Sequence, residues 1–97
     1  MKRFIISLDK TTNSQEKEFI EYIKENRYGW WHWLSHTWLI VDSRDYLNAA
    51  KLRDKLDEIF PSGYNLVIEL RSKDDTWSGF GPTSEEKNMF NWLEKNW

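Results

Sequence analysis

The chain has 97 residues, of which 39% are hydrophobic and 31% are charged. These values predict one soluble globular domain over residues 1–97, and they exclude a disordered chain and a membrane-spanning helix of roughly 20 apolar residues. The net charge of −2 makes duplex nucleic acid an unsuitable partner, because attraction to it needs clustered Lys and Arg. The absence of cysteine excludes disulfides and thiolate metal sites and favours a cytoplasmic location.

The N-terminal part of the chain predicts a strand followed by a helix. Residues 3–8 alternate between two faces, one of them apolar throughout, which indicates a strand. Asp9 ends an apolar run that is too short for a signal peptide. Thr12 and Gln15 have the spacing of a capping box, so we expect a helix that ends near Asn26.

Two segments rich in strand-forming residues follow Gly29, which interrupts the chain. They cover residues 30–34 and 37–42. They predict either one long bent strand or two strands that meet at Ser35-His36.

A second helix is expected to begin at Asp42-Ser43 and to end at Pro61. Its apolar positions recur at spacings of three and four residues, and they are Ala49, Leu52, Leu56, Ile59 and Phe60. Residues 64–71 predict a further strand. The clearer apolar face of that strand consists of Leu66, Ile68 and Leu70.

The last quarter of the chain predicts a loop and a helix. Residues 72–82 have the composition of turns, and Thr83-x-x-Glu86 has the spacing of a second capping box. The helix that follows would place Met89, Phe90, Leu93 and Trp97 along one side. The complete order predicts an α+β protein, a ferredoxin-like split βαβ sandwich with a tryptophan-containing loop and an extra C-terminal helix. One face of such a sheet carries helices, and the open face pairs with a second subunit or binds a ligand.

Residues 28–38 carry the densest chemical signal, because they contain four of the seven tryptophans and both histidines. In a strand, Trp31 and Trp33 would face one side of the sheet. Trp30 and His32 would face the other side. Two hypotheses stay open for these rings. They pack in the core or at a dimer interface, or they stack on a nucleotide base, which is worth roughly 1–3 kcal/mol per base.

The two histidines, His32 and His36, are interpreted as structural residues or as hydrogen-bond donors to a phosphate or base. A metal site would need Asp9 or Asp42 as a third ligand, and the sequence predicts no metal and no cofactor. The residue types that follow Asp9 indicate a solvated loop acid or a turn at the entry to the helix.

The loop after the last predicted strand is a second candidate site. It contains Arg71, Lys73, Trp77, Ser78, Gly79, Phe80 and Gly81. Cations, small residues and aromatic rings together suit an anionic planar ligand, and glycines let backbone N–H groups approach a phosphate. The alternative is that Trp77 and Phe80 anchor the loop on the sheet, while Asp74-Asp75 repels phosphate.

Three segments resemble a known family in their order and residues. They are Phe4-Ile5-Ile6-Ser7-Leu8-Asp9, the run WWHWLSHTWLIV over residues 30–41, and Leu66-Val67-Ile68-Glu69-Leu70. With the tryptophan-containing loop and the final helix, they resemble the small SinR-like proteins of bacteria and phages, in which a WWHYL-x-S-TWLV segment follows a strand that ends in Asp. Here Ser35-His36 stands at the family's Asp-Ser position, and Leu8 replaces its Tyr.

The resemblance implies a ferredoxin-like fold and a homodimer, since the SinR-like family is similar in fold to the second CRISPR-associated protein. In those relatives an Asp at the position of Asp9 is linked to metal-dependent nuclease activity. For this chain the resemblance would imply two symmetry-related Asp9 carboxylates that hold a magnesium ion over a phosphate.

Three hypotheses about function follow from the sequence. The first is a non-catalytic homo-oligomer that binds a small nucleotide and, if encoded by a phage, sequesters a nucleotide immune signal in the host cytoplasm. The residues predicted to bind the ligand are Trp30, Trp31, His32, Trp33, His36, Arg71, Lys73, Trp77 and Phe80. The second hypothesis is the magnesium-dependent nuclease at Asp9. The third is an inhibitor that binds a host defence protein through exposed tryptophans.

Overall fold

The computed structural model describes residues 1–71, 78–79, 81, 83–84 and 88–97. Its elements are β1 (Lys2–Leu8), α1 (Asn13–Glu25), β2 (Gly29–Leu34), β3 (Thr37–Asp42), α2 (Ala49–Ile59), β4 (Asn65–Leu70) and α3 (Met89–Asn96). The described chain is therefore an α+β structure with one four-stranded sheet, compatible with a ferredoxin-like class. None of the helices in these ranges has the length and apolarity that a membrane crossing requires.

The strands lie in the order β2-β3-β1-β4, and every neighbouring pair is antiparallel. β1 is central, so that Phe4 lies opposite Ile40 of β3 and opposite Glu69 of β4. α1 connects β1 to β2 across β3, and α2 connects β3 to β4 across β1. Both connections therefore return the chain to the same sheet.

One face of the sheet and the helices α1 and α2 enclose the main core. Every second residue of β1 points toward these helices, because side chains alternate along a strand. The buried members of this core are Phe4, Ile6, Leu8, Phe19, Ile23, Trp38, Ile40, Leu47, Leu52, Leu56, Ile59 and Phe60. Burial of a side chain such as Leu or Phe stabilises a fold by roughly 1.5–3 kcal/mol, so this core holds both helices on the sheet.

α3 packs on the opposite face of the sheet. Its Met89 and Leu93 are buried against Trp31 of β2 and Leu39 of β3. The last residue of the chain is also fastened to the sheet. The guanidinium of the buried Arg3 donates to the Trp97 carbonyl oxygen at 3.2 Å and lies 5.2 Å from the centre of the Trp97 ring.

The predicted strand over residues 3–8 and the helix that follows it are confirmed. Thr12 caps α1, and both hydrogen bonds of the capping box are present: Thr12 Oγ1 accepts from the Gln15 N–H, and Gln15 Oε1 accepts from the Thr12 N–H. The helix ends at its cap residue Asn26. Of the two alternatives for residues 30–42, the structure has two strands, which are joined by a turn at residues 35–36.

The prediction that α2 begins at Asp42-Ser43 is wrong. Asp42 is the last residue of β3, and its buried carboxylate accepts hydrogen bonds from the N–H groups of Arg44 at 3.0 Å and Leu47 at 2.7 Å. These bonds fold residues 43–48 into a loop. The helix then begins at Ala49, where the Asn48 side chain caps it.

The start of α3 also differs from the prediction. Thr83 is not its cap, since the side chain of Asn88 accepts from the N–H groups of Phe90 and Asn91. Thr83 instead forms a single β-bridge with Asn88. Glu86, the other residue of the predicted capping box, lies outside the described residues, as does Trp77 of the predicted tryptophan-containing loop.

The apolar face of β4 does not point into the main core. Leu66 and Ile68 lie on the face turned away from α1 and α2 and are 59% and 45% exposed. Val67 between them packs against the main core instead. β4 therefore presents its apolar stripe to the outside of the described structure.

We expect Asp42→Asn to lower the free energy of unfolding by about 1–3 kcal/mol, because an amide NH₂ would then face one of the two N–H donors, of Arg44 or of Leu47, and leave it unsatisfied. Urea unfolding followed by tryptophan fluorescence measures the loss. The control is Asp54→Asn on α2. Since the Asp54 side chain is 68% exposed, this substitution should change the free energy of unfolding by less than about 0.5 kcal/mol. Equal effects of the two substitutions would contradict a role for Asp42 in closing the loop.

Candidate functional site

The aromatic residues of the β2–β3 hairpin are divided between the two faces of the sheet. Trp30 and Trp38 lie on the face of α1 and α2, with 6.0 Å between their ring centres. His32 lies on the same face, because it stacks on Trp38. Trp31 lies on the α3 face and is 4% exposed. Trp30 and Trp31, which are neighbours in the chain, therefore contact different clusters on opposite faces of the sheet.

Three contacts hold the His32 ring inside the protein. It stacks on Trp38 with 3.7 Å between ring centres and an angle of 6° between the planes. Nδ1 lies 3.0 Å from the Thr37 carbonyl oxygen, and Nε2 lies 3.2 Å from a carboxylate oxygen of Glu16. Both ring nitrogens thus lie within hydrogen-bond distance of oxygen atoms of the fold, and the contact with Glu16 fastens the hairpin to α1.

Trp38 is fully buried between aromatic rings, with Phe19 edge-on at 4.9 Å. Among the described residues, its Nε1–H is the one buried side-chain polar group without a hydrogen-bond partner. An unsatisfied buried donor costs about 1–3 kcal/mol. The contacts with Phe19, Trp30 and His32 make this indole a packing residue of the core.

Trp31 connects the sheet to α3. Its Nε1–H donates to the carbonyl oxygen of Met89, the first residue of α3, at 2.7 Å, and this bond is buried. The ring packs with Leu39 and Leu93. A buried indole usually needs a partner for its N–H, so the position of α3 and the burial of Trp31 depend on each other.

A cavity of about 310 Å³ lies between α3 and the sheet. Its lining residues are Ile5, Trp31, Leu34, Thr37, Leu39, Leu70, Ser78, Gly79, Met89, Leu93 and Trp97. The walls are mainly apolar and include two indoles, while Thr37 and Ser78 supply hydroxyl groups. Small-molecule sites usually have this form, an apolar cavity of about 300–1,000 Å³ with few polar groups.

Leu34 reaches the cavity because β2 is irregular. Regular alternation would place Leu34 and Trp31 on opposite faces of the sheet. The pairing of β2 with β3 shifts its register between these two residues, and both line the cavity. Irregularities of this kind re-aim side chains next to sites. The sequence does not reveal the shift, and for that reason Leu34 is missing from the predicted site residues.

The loop after β4 approaches α3 closely at Gly81 and at Gly79. A Cβ atom on Gly81 would lie 1.8 Å from Sδ of the buried Met89, and one on Gly79 would lie 3.3 Å from the Phe90 ring. Only glycine fits at residue 81 unless Met89 moves. The glycines allow this part of the loop to pass α3, and Gly79 with Ser78 forms part of the cavity wall.

The other residues predicted for this site lie at the surface or outside the described ranges. Trp33 is 36% exposed, and the Arg71 side chain is 79% exposed. Arg71 Nε donates to a carboxylate oxygen of Glu69 at 2.6 Å, and this hydrogen bond lowers the pKa of Glu69. The remaining predicted residues, Lys73, Trp77 and Phe80, are not among the described ones.

Asp9 and His36 come together in a separate groove of about 380 Å³ at the end of β1. Asp9 Oδ1 accepts from the Tyr64 N–H at 2.5 Å, and the Asp9 N–H donates to the Tyr64 carbonyl oxygen at 3.2 Å. This carboxylate therefore fastens the start of β4 to β1. Within the ranges that the structure describes, no group of three or more Asp, Glu or His side chains could hold a metal ion.

Comparisons with known proteins identify no relative of this chain. The chain matches no protein-family model, no curated protein and no solved structure.

We expect Trp31→Phe to lower the free energy of unfolding by about 1–3 kcal/mol, because the buried Met89 carbonyl would lose its donor. Trp33→Phe is the matched control, and since Trp33 is 36% exposed it should cost less than about 0.5 kcal/mol. Denaturant unfolding measures both values. In addition, the amide hydrogens of α3 should exchange faster in the Trp31→Phe variant than in the wild type. Protection of α3 that stays at the wild-type level would contradict this role of Trp31.

Proposed function

We propose that the protein is a non-catalytic module that holds the base of a small nucleotide in the cavity between the sheet and α3. The observation that carries the proposal is the cavity of about 310 Å³, which lies between the tryptophan hairpin and the loop after β4. The hairpin contributes Trp31, Leu34 and Thr37 to its wall, and the loop contributes Ser78 and Gly79.

A nucleotide base suits this cavity because it has two flat faces and a polar edge. The indoles of Trp31 and Trp97 line the cavity, Trp31 only with the 4% of its surface that is exposed, and a base stacked on an aromatic ring gains roughly 1–3 kcal/mol. The hydroxyl groups of Thr37 and Ser78 can donate or accept, which fits the mixed donors and acceptors of a base edge.

The phosphates of the ligand would remain at the surface. Arg71 directly follows the wall residue Leu70, but its side chain donates to Glu69, whose carboxylate also accepts from the Ala49 N–H of α2, so it lies on the other face of the sheet. The net charge of −2 does not suit a long nucleic acid, whereas a small anion needs only a few well-placed cations. For a phage-encoded protein, a module of this kind would sequester a nucleotide immune signal.

The cavity narrows the set of binding residues expected from the sequence. Trp30 and His32 pack on the opposite face of the sheet, and His32 uses both ring nitrogens within the fold. Trp33 and His36 are exposed but do not belong to the described cavity wall. Trp31 is therefore the residue of the tryptophan segment on which the proposal depends.

Binding without hydrolysis is supported by the chemistry of the wall. The described lining residues include no carboxylate, histidine or lysine that could act as an acid, a base or a metal ligand. Asp9 lies in the other groove, where one of its carboxylate oxygens already accepts a backbone N–H. We therefore propose no nuclease step at Asp9.

Thermal shift and calorimetry with a panel of nucleotides test the proposal. The panel contains nucleoside monophosphates, cyclic di- and trinucleotides and adenosine diphosphate ribose isomers. We expect at least one ligand to bind and to be recovered intact after incubation with magnesium, as measured by mass spectrometry. Leu34→Glu places a negative charge at the cavity, and since Leu34 is 47% exposed the fold should persist. It should weaken binding about tenfold or more.

The matched control for Leu34→Glu is Tyr46→Glu, at a residue that is 66% exposed and does not line the cavity. It should leave the affinity unchanged. If no nucleotide of the panel produces heat or a thermal shift, the proposal is wrong. If a ligand binds but is cleaved, and Asp9→Asn abolishes the cleavage, the nuclease hypothesis replaces it.

A further inference from the structure

β4 is an edge strand of the described sheet, with β1 on one side and no strand on the other. The hydrogen bonds show which of its backbone groups face outward. The Asp9 N–H donates to the Tyr64 carbonyl, and such pairs recur at every second residue of an antiparallel ladder. The backbone N–H and C=O groups of the even-numbered residues of β4 therefore point toward β1. The N–H and C=O groups of Asn65, Val67 and Glu69 point to the outer edge.

Exposed apolar side chains lie directly beside this edge. Tyr64 is 76% exposed, Leu66 is 59% exposed and Ile68 is 45% exposed, and alternation places all three on one face of the sheet. Proteins usually protect such an edge with Lys, Pro or a bulge. Residues 65–70 contain neither Lys nor Pro, and they pair with β1 in a regular register. The opposite edge, β2, carries a register shift and contacts α3.

We propose that a second copy of this chain pairs with the outer edge of β4, antiparallel and about a two-fold axis, so that the two sheets become continuous. The outward residues allow a register with Val67 at the axis, in which Asn65 lies opposite Glu69 of the second copy. Backbone hydrogen bonds then form at these positions on both sides of the axis. A two-fold interface requires such a self-complementary surface.

The side chains of β4 favour its own copy as the partner. With Val67 at the axis, Leu66 lies opposite Ile68 of the second copy, and Tyr64 lies opposite Leu70 of the second copy. Apolar residues thus meet apolar residues at every position of the exposed face. Arg71 lies opposite Gly63 of the second copy, so that no like charges are opposed.

This inference goes beyond the proposed function and does not depend on it. Tyr64, Leu66 and Ile68 do not belong to the described wall of the cavity beside α3. A protein that binds no nucleotide could still pair through β4, and a monomer could still bind one. The two proposals therefore fail separately.

The oligomeric state of the full chain tests the pairing, measured by light scattering across a wide concentration range and by native mass spectrometry. We expect a dimer for the wild type. Ile68→Lys places an ammonium group against Leu66 of the second copy and should weaken the dimer about tenfold or more. Tyr46→Lys, at a residue 66% exposed outside β4, is the control and should remain dimeric.

A pair of proline variants tests the backbone part of the interface. Val67→Pro removes an N–H that points outward, and since proline is tolerated on edge strands the variant should fold, as judged by circular dichroism, and be monomeric. Ile68→Pro removes an N–H that is bonded to β1 and should unfold the protein. A wild type that is monomeric at every concentration overturns the proposal, whether or not another protein binds the edge. A dimer that survives both Ile68→Lys and Val67→Pro also overturns it.

Discussion

Neighbouring residues of a β-strand face opposite sides of the sheet, and this constraint decides what each tryptophan of the hairpin can do. Trp30 joins Trp38 in the main core, while Trp31, the next residue, is turned to the other face. There it needs both cover and a hydrogen-bond acceptor, and α3 supplies them through Leu93 and the Met89 carbonyl. The position of α3, and with it the cavity, follows from the side on which Trp31 lies.

The two faces of the sheet therefore have different roles. The face under α1 and α2 is closed, and the ring nitrogens of His32 lie against Glu16 and Thr37 within it. The other face carries the cavity beside α3 and the apolar stripe at Leu66 and Ile68. Most of the buried apolar side chains lie on the first face, so stability comes mainly from that face.

Local signals were predictable from the sequence, whereas contacts between distant residues were not. Thr12 and Gln15 satisfy each other within one helical turn, so their spacing alone identifies the start of α1. Asp42 has the residue type of a helix cap, but its carboxylate binds the Leu47 N–H, a loop contact that no capping pattern predicts. The position of Leu34 depends on a register shift between β2 and β3. This shift arises from the pairing of the two strands, and the sequence of neither strand indicates it.

The attachment of α3 has a consequence for how a ligand would leave. The cluster of Trp31, Leu39, Met89 and Leu93 is separate from the main core, and the sheet lies between the two. α3 can therefore detach without exposing the residues that hold α1 and α2 in place. A molecule in the cavity would touch both the sheet and α3, so its binding energy would also oppose detachment of the helix. Release and local unfolding would then be one event, and residence time would be governed by the strength of a helix contact.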